Sequence, residues 1–278
     1  MPNKNNGEQG YEQLSMLDDL QPAPIESILP ATTQSDSKYP TLLSIVPLFA
    51  AGDRENYTTD QNKGLVYPIK NGRIRRIGPG LDVYDEDTLI AILQLMEKKV
   101  VGPRQAMPVA LPALDNEEIN QTTVYKGTVT APRINSFLGR GDGGADHERT
   151  RDSIRRLANQ RLWFESLDSA DAEAMEGVTD FFQYMGKSDL RGELLIQISP
   201  QMVNLLQQYQ IIDMTVRVKL NDAGKAVHRF LTAQPDKFDI SLDDLAEAIC
   251  YDQGGSALKR ALIGRKETAK TKAKNLPH

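Results

Sequence analysis

The segment from residue 131 to residue 162 constrains the fold most strongly, because it predicts two helices joined by a glycine-rich turn. A short helix is expected over 131–138, the turn GRGDGG follows at 139–144, and a longer helix is expected over 145–162. At 100° per residue, one side of the longer helix is apolar and would face a core. That side carries Ile154, Leu157, Ala158 and Leu162. This order of elements is typical of a helix-turn-helix unit.

The opposite side of the longer helix carries side chains that can hydrogen-bond to the edges of DNA bases. The major groove of a duplex admits one α-helix, so these side chains are candidates for reading sequence there. They are Arg149, Asp152, Ser153, Arg156, Asn159 and Gln160. Arg151 and Arg155 lie at the margins, where phosphate contacts are expected. An ordinary solvated helix face would have a similar charge pattern, but the preceding short helix and turn favour DNA binding.

The segments around this unit predict the rest of a first module. Residues 64–77 are typical of a β-hairpin, with Asn71-Gly72 at its tight turn. Residues 82–99 predict an amphipathic helix, with Leu89, Ile92, Leu93 and Met96 on one face. After the longer helix, the short β-favouring runs WFESLD, DFFQYMG and GELLIQIS would supply a wing.

A similar order of elements follows in the last third of the chain. Residues 215–233 predict a second amphipathic helix, with Val218, Val227, Phe230 and Leu231 as core positions. FDISLDDLAEAI predicts a strand and a short helix capped by Ser241. Gly254-Gly255 then leads into a basic helix over about 256–272. We therefore predict an α+β protein with two tandem winged-helix domains, residues 41–200 and 201–278, of which the second is abbreviated or lacks part of its wing.

The charge distribution permits DNA binding although the net charge is −5. Residues 1–38 hold six acidic and two basic residues, so this segment alone contributes −4. Residues 259–274 hold seven basic residues and one acid, Glu267. Phosphate contacts need Lys and Arg, and the candidates here are Lys259, Arg260, Arg265, Lys266 and Lys270. A solvated C-terminal tail is the alternative interpretation.

The sequence contains no motif that indicates an enzyme. It has no P-loop, Gly-x-Ser-x-Gly or His-Glu-x-x-His pattern. One cysteine excludes an internal disulfide, and three scattered histidines lack metal-ligand spacing, so neither a metal nor a cofactor is expected. The carboxylates Asp85, Glu86 and Asp87 stand at a helix start, where the helix dipole accounts for them. A primase or a nicking enzyme would need catalytic clusters that the sequence lacks.

The N-terminal residues 1–40 are polar and poor in aromatics, which predicts a disordered arm. Within it, Gln13, Leu14, Ser15, Met16 and Leu17 form a short motif that could dock in an apolar groove of a partner. An accidental apolar patch is the alternative. The chain has neither a signal peptide layout nor an apolar run of about 18 residues, so we expect a cytoplasmic protein without membrane contact.

Several segments, in the same order along the chain, resemble the TrfA-type plasmid replication initiators and, more distantly, other winged-helix Rep proteins. They are VPLFAAGDREN, GRIRRIGPGLDVYDEDTLIAILQLM, TVTAPRINSFLGRGDGGADHERTRDSIRRLANQRLWFES, GELLIQISPQMVNLL, GKAVHRFLTAQ and FDISLDDLAEAI. The resemblance implies two winged-helix domains and sequence-specific binding to direct repeats of origin DNA, the iterons.

The same resemblance implies partners. It implies recruitment of the host's replicative helicase and sliding clamp, and a monomer–dimer balance that controls plasmid copy number. Gln13, Leu14 and Ser15 match the clamp-binding pentapeptide of the family, whereas Met16 and Leu17 replace its Leu and Phe. We therefore expect a non-enzymatic initiator of plasmid DNA replication. A winged-helix transcriptional regulator that binds an operator is the alternative.

Overall fold

The computed structural model describes residues 36–59, 64–69, 72–95, 126–166, 176–186, 192–206, 208–235 and 238–263. The strands in these ranges are β1 (Asp36–Pro40), β2 (Leu65–Ile69), β3 (Gly72–Ile77), β4 (Lys126–Val129), β5 (Arg161–Ser166), β6 (Glu176–Thr179), β7 (Phe182–Gly186), β8 (Leu194–Ile198) and β9 (Tyr209–Asp213). The helices are α1 (Thr41–Ile45), α2 (Val83–Leu95), α3 (Ala131–Phe137), α4 (Gly144–Ala158), α5 (Pro200–Leu205), α6 (Met214–Arg217), α7 (Asp222–Thr232), α8 (Leu242–Ala248) and α9 (Gly254–Ile263), with a 3₁₀ turn at Arg54–Tyr57.

The strands form three antiparallel sheets. β4 precedes the helix pair α3–α4, and it pairs with β8, which pairs in turn with β7, so the spatial order is β4-β8-β7. The second sheet has the order β2-β3-β5-β6. The third contains β1 and β9, which lie far apart in sequence. Helices and antiparallel strands thus share the chain, and the expected α+β class is confirmed.

The predicted hairpin and the predicted helix after it are both present. β2 and β3 pair with Ile69 opposite Gly72, so Gly72 belongs to β3 and the turn predicted at Asn71-Gly72 is misplaced by one residue. α2 begins at Val83, and Leu89, Ile92 and Leu93 are buried as predicted. Thr88 and Ile90 on its other sides are buried too, so the helix is not amphipathic. Met96 lies outside the described residues.

The described residues form two apolar cores, and the domain boundary expected at residue 200 stays a prediction. The first core extends from Tyr39 to Met214, and β9 contributes Ile212 to it. The second core is built from α7, α8 and α9 together with Ala51 and Val83 of the earlier chain. The last five residues of the predicted arm, 36–40, form β1, so order begins before the predicted position.

The predicted helix over 215–233 is two helices, because a second helix start is capped within it. Asp213 accepts hydrogen bonds from the backbone N–H groups of Thr215 and Val216 at the start of α6. Asn221 accepts one from Gly224 N at 2.8 Å and starts α7. The break changes which residues are buried. Phe230 lies in the core as predicted, but Val218 and Leu231 are 42% and 47% exposed, so those two predicted core positions are wrong.

Ser241 caps α8 as the sequence predicts, and this cap gives a stability test. Its Oγ accepts a hydrogen bond from Asp244 N at 3.1 Å. Ser241→Ala is expected to lower the free energy of unfolding by about 1 kcal/mol, because one helix-end donor loses its partner. Ser256→Ala, at an exposed position inside α9, is the control and should be neutral or slightly stabilising. Urea unfolding followed by circular dichroism measures both, and equal changes would contradict the capping role.

Candidate nucleic-acid interface

The turn between α3 and α4 is fixed by one glycine and one buried amide. Gly139 has φ +64°, a left-handed conformation that favours glycine after a helix end. The Asn135 amide nitrogen donates to Gly141 O at 3.0 Å. Its carbonyl oxygen accepts from the Thr150 hydroxyl at 2.5 Å. This side chain therefore ties the turn to α4 and sets the angle at which the predicted recognition helix leaves α3.

The exposed face of α4 is rotated about the helix axis from its predicted position, by roughly 80° at 100° per residue. Its exposed residues include Glu148 and Arg155, followed by the exposed C-cap Asn159, and its buried residues are Thr150, Ser153, Ile154 and Leu157. Arg155, predicted at the margin of the face, therefore lies at its centre. The helix ends at Ala158, and the predicted core residue Leu162 belongs to β5, where it is buried.

Two of the predicted base-reading residues, Ser153 and Gln160, are buried and therefore do not lie on the exposed face. The Gln160 amide nitrogen donates to Pro79 O at 2.8 Å and to Arg156 O at 3.0 Å. Its oxygen accepts from Arg76 Nη1 at 3.1 Å. The side chain has its hydrogen bonds inside the protein, so burial costs little. Placing these two residues on a DNA-facing surface was wrong.

Arg156 and Arg149 both contact side chains in the first turn of α2. Arg156 makes a two-point contact with the Asp85 carboxylate at 3.1 and 2.7 Å, and its side chain is only 17% exposed. Burial raises the pKa of Asp85, and the hydrogen bond from Arg156 opposes that shift. The Arg149 guanidinium lies 4.0 Å from the centre of the Tyr84 ring, although the residue remains exposed. In this structure, packing against α2 uses Arg156 and leaves Arg149 accessible.

The remaining predicted residues of α4 form an exposed network of charges. Arg155 Nη1 lies 3.0 Å from Glu148 and 2.5 Å from Asp152, and Arg151 Nη1 lies 3.1 Å from Glu148. Exposed pairs of this kind contribute little free energy and exchange readily for other partners. The arginines of this network are thus accessible to a phosphate or a base edge, together with Asn159.

At the carboxyl end of α4 a pocket of about 610 Å³ adjoins the exposed face. Asn159, Arg161, Trp163 and Asp180 contribute to its lining. Arg161 is exposed, so it extends the basic surface of α4 toward β5.

The second predicted helix, α9, presents Lys259 and Arg260 to solvent, while Leu258 is buried in the second core. A glycine is required at its start. A Cβ on Gly255 would lie 2.6 Å from the carbonyl carbon of Leu242, so a larger residue would push α9 off α8. Arg265, Lys266 and Lys270 lie outside the described residues, as do Gln13, Leu14, Ser15, Met16 and Leu17.

Sequence reasoning missed a set of buried ion pairs at the start of α2. Asp85, Glu86 and Asp87, here called the acidic turn, are all buried. Three cationic side chains contact Asp87, since Lys225 Nζ lies at 2.6 Å, Arg217 Nε at 2.7 Å and Arg140 Nη2 at 3.9 Å. Glu86 lies 2.8 Å from Arg217 Nη2 and 3.3 Å from Arg229 Nη1. The helix dipole alone would have left these carboxylates in water.

The pKa shifts agree with this pairing. Burial alone would raise the pKa of Asp87, but Arg217 and Lys225 outweigh it and hold the pKa below its usual value. Burial alone would lower the pKa of Arg217, but Glu86 and Asp87 raise it. Asp87 and Arg217 therefore stay charged at neutral pH.

The free energy of unfolding is expected to depend on pH because of His228 in α7. Burial and, secondly, Arg217 lower the pKa of its imidazole below the ordinary value, so the unfolded chain binds this proton more tightly. The contribution of His228 to stability is complete above that ordinary value, about 6.5, and is lost as the pH falls toward the lower folded value. We expect the wild-type chain to lose more unfolding free energy between pH 7.5 and pH 5.5 than His228→Gln does. Urea titrations at the two pH values measure this, and parallel losses would contradict it.

None of the helices in the described ranges is long and apolar enough to cross a membrane.

Comparisons with known proteins support the fold. No family model matches the sequence, and no curated protein matches it significantly. Among the solved structures that resemble the chain, two contain domains 2 and 3 of RctB, a replication initiator of Vibrio chromosome II.

The first of these structures has a TM-score of 0.50 and 13% sequence identity, and the match covers 79% of this chain and 82% of that chain. The second has a TM-score of 0.46 and 14% identity, and it covers 75% and 79%. At such identities the likeness shows the fold alone. The chain thus shares its fold with two domains of a replication initiator, whereas the TrfA-type assignment stays a prediction.

Proposed function

We propose that this chain is a plasmid replication initiator that binds direct repeats in origin DNA and recruits host replication proteins. One combined observation carries the proposal. The fold is similar to that of RctB domains 2 and 3, and the last helix of each proposed helix-turn-helix unit exposes basic side chains. Fold alone does not imply function, so the charged helices supply the second support.

The topology around α4 supports a first winged-helix module. In such modules, the strand before the helix pair joins a sheet with the hairpin that follows the second helix. β4 stands before α3 and α4, and it pairs with the hairpin of β7 and β8. In the second core, α7, α8 and α9 have the helical order expected of a second module.

The proposed mechanism requires no covalent chemistry. Arg155 of α4 and Asn159 at its C-cap enter a major groove and contact base edges, while Arg149 and Arg151 contact phosphates. Lys259 and Arg260 of α9 hold phosphates of the neighbouring groove. Several bound copies then bend or melt adjacent A·T-rich DNA. Recruitment of helicase and of the sliding clamp, the latter through the motif at 13–17, and the balance between monomer and homodimer belong to the same proposal.

A replication assay tests this function. The DNA that flanks the gene is cloned into a plasmid lacking any other origin, and the chain is supplied from a second replicon. Transformants are expected only when the chain is present, because it would load the host machinery at its repeats. The control supplies a chain in which Arg155, Lys259 and Arg260 are replaced by alanine. Tight binding to the flanking DNA without any transformants would instead indicate a transcriptional regulator.

A further inference from the structure

We propose that the acidic turn fixes the relative orientation of α4 and α9, and therefore the spacing between the two parts of the DNA site that one chain can occupy. The inference rests on the proposed function for its DNA arm only. The orientation itself follows from contacts within the protein.

The three carboxylates of the acidic turn contact different elements because consecutive helical residues point 100° apart. Asp85 holds α4 through the two-point contact with Arg156. Glu86 and Asp87 both bond to Arg217 of α6, and they hold α7 through Arg229 and Lys225, respectively. A single turn of α2 is therefore bonded to the helix of the first module and to the helices that begin the second core.

α7 passes this constraint on to α9. The Asn221 amide at the start of α7 donates to Ala261 O of α9 at 2.9 Å. Phe230 of α7 and Leu258 of α9 are buried in the same core. Any rotation of α7 relative to α2 would therefore carry α9 with it.

Burial makes the ion pairs restrictive. Glu86 and Arg217 are both 0% exposed, and Arg229 also donates to Phe49 O at 3.4 Å inside the core. A charge inside the protein that loses its partner gains no compensating water, so separating these pairs is costly. By contrast, an apolar contact between two modules would permit sliding at a smaller cost. The geometry accordingly favours one relative orientation.

A distance measurement between α4 and α9 tests the orientation without DNA. Spin labels are placed at Glu148→Cys and Ser256→Cys, both exposed, in a Cys250→Ser background. Double electron–electron resonance should give one narrow distance distribution for this parent. Glu86→Gln preserves shape but removes the charge that Arg217 and Arg229 share, and it should broaden or shift the distribution. Glu55→Gln removes the same charge from an exposed position, and it should leave the distribution unchanged.

Lys225→Met provides a second variant if Glu86→Gln fails to fold. It removes one partner of Asp87 and leaves Arg217 bound, so the fold should persist while the distribution broadens less. Distributions as narrow as the parent's, at the same mean distance, in every folded variant of the acidic turn would overturn the inference.

The DNA arm uses a duplex selected by the parent from a random-sequence pool, and the same duplex with five base pairs inserted between its two protected parts. Five base pairs rotate the second groove by about half a turn. The parent should lose about 100-fold in affinity on insertion, because the two modules no longer bind together. Glu86→Gln should bind the original duplex more weakly and lose less than threefold further. A parent that tolerates the insertion would overturn the spacing inference. A parent that selects no duplex would refute the proposed function and leave the distance result standing.

Discussion

Replacing Arg217 by methionine is expected to lower the free energy of unfolding by about 3–5 kcal/mol, because two buried carboxylates lose their shared partner. The guanidinium bonds to Glu86 at 2.8 Å and to Asp87 at 2.7 Å, and it also donates to Lys225 O at 3.1 Å. Methionine fills much of the same space, so the loss reports the unpaired charges more than a cavity. Urea unfolding at pH 7 measures the change.

Arg151→Met is the matched control for that measurement. Arg151 makes its ion pair with Glu148 on the exposed side of α4, where solvent and salt screen the interaction. Its loss should cost less than about 1 kcal/mol. If the two variants differed by less than experimental error, the buried ion pairs would stabilise the fold no more than the exposed pair does.

The sequence predicts many of the local elements correctly because each has a local signal. The hairpin follows from two β-favouring runs around Asn71-Gly72, although Gly72 itself belongs to β3. α2 follows from its apolar spacing, α3 and α4 from the glycine-rich turn, and α8 from its Ser241 cap. The break between α6 and α7 also has a local cause, the capping side chain of Asn221. The apolar residues on both sides of this break continue a helical pattern, and that continuity hid it.

The role of the acidic turn could not be predicted from its own sequence. A run of carboxylates at a helix start is stabilised by the helix dipole, and that local explanation is sufficient in isolation. Its actual partners, Arg217 and Arg229, lie 131 and 143 positions away along the chain. Only the tertiary fold brings them together.

The rotated face of α4 has a similar cause. An apolar pattern predicts burial for aliphatic residues, but Thr150, Ser153 and Gln160 are buried too. Thr150 and Gln160 are hydrogen-bonded inside the protein, which removes most of the cost of burial. Buried polar residues shift the boundary of the face, and a two-class pattern of apolar and polar residues does not detect them.

The corrected face makes Arg155 the first candidate for base recognition. Arg155→Ala should weaken binding to a selected duplex by about 10–100-fold, the equivalent of about 1–3 kcal/mol for one two-point base contact. Binding to a random duplex should weaken far less. Fluorescence anisotropy on labelled duplexes at a fixed salt concentration measures both affinities.

Two further variants separate base reading from charge. Lys259→Ala on α9 should weaken binding to the selected and random duplexes equally, and it should reduce the salt dependence by about one counterion. Glu148→Gln frees Arg155 and Arg151 from their common carboxylate and removes a negative charge that repels phosphate, so it should strengthen binding to both duplexes. If Arg155→Ala weakened both duplexes alike, Arg155 would be a phosphate contact, and base recognition by this helix end would then rest on Asp152 and Asn159.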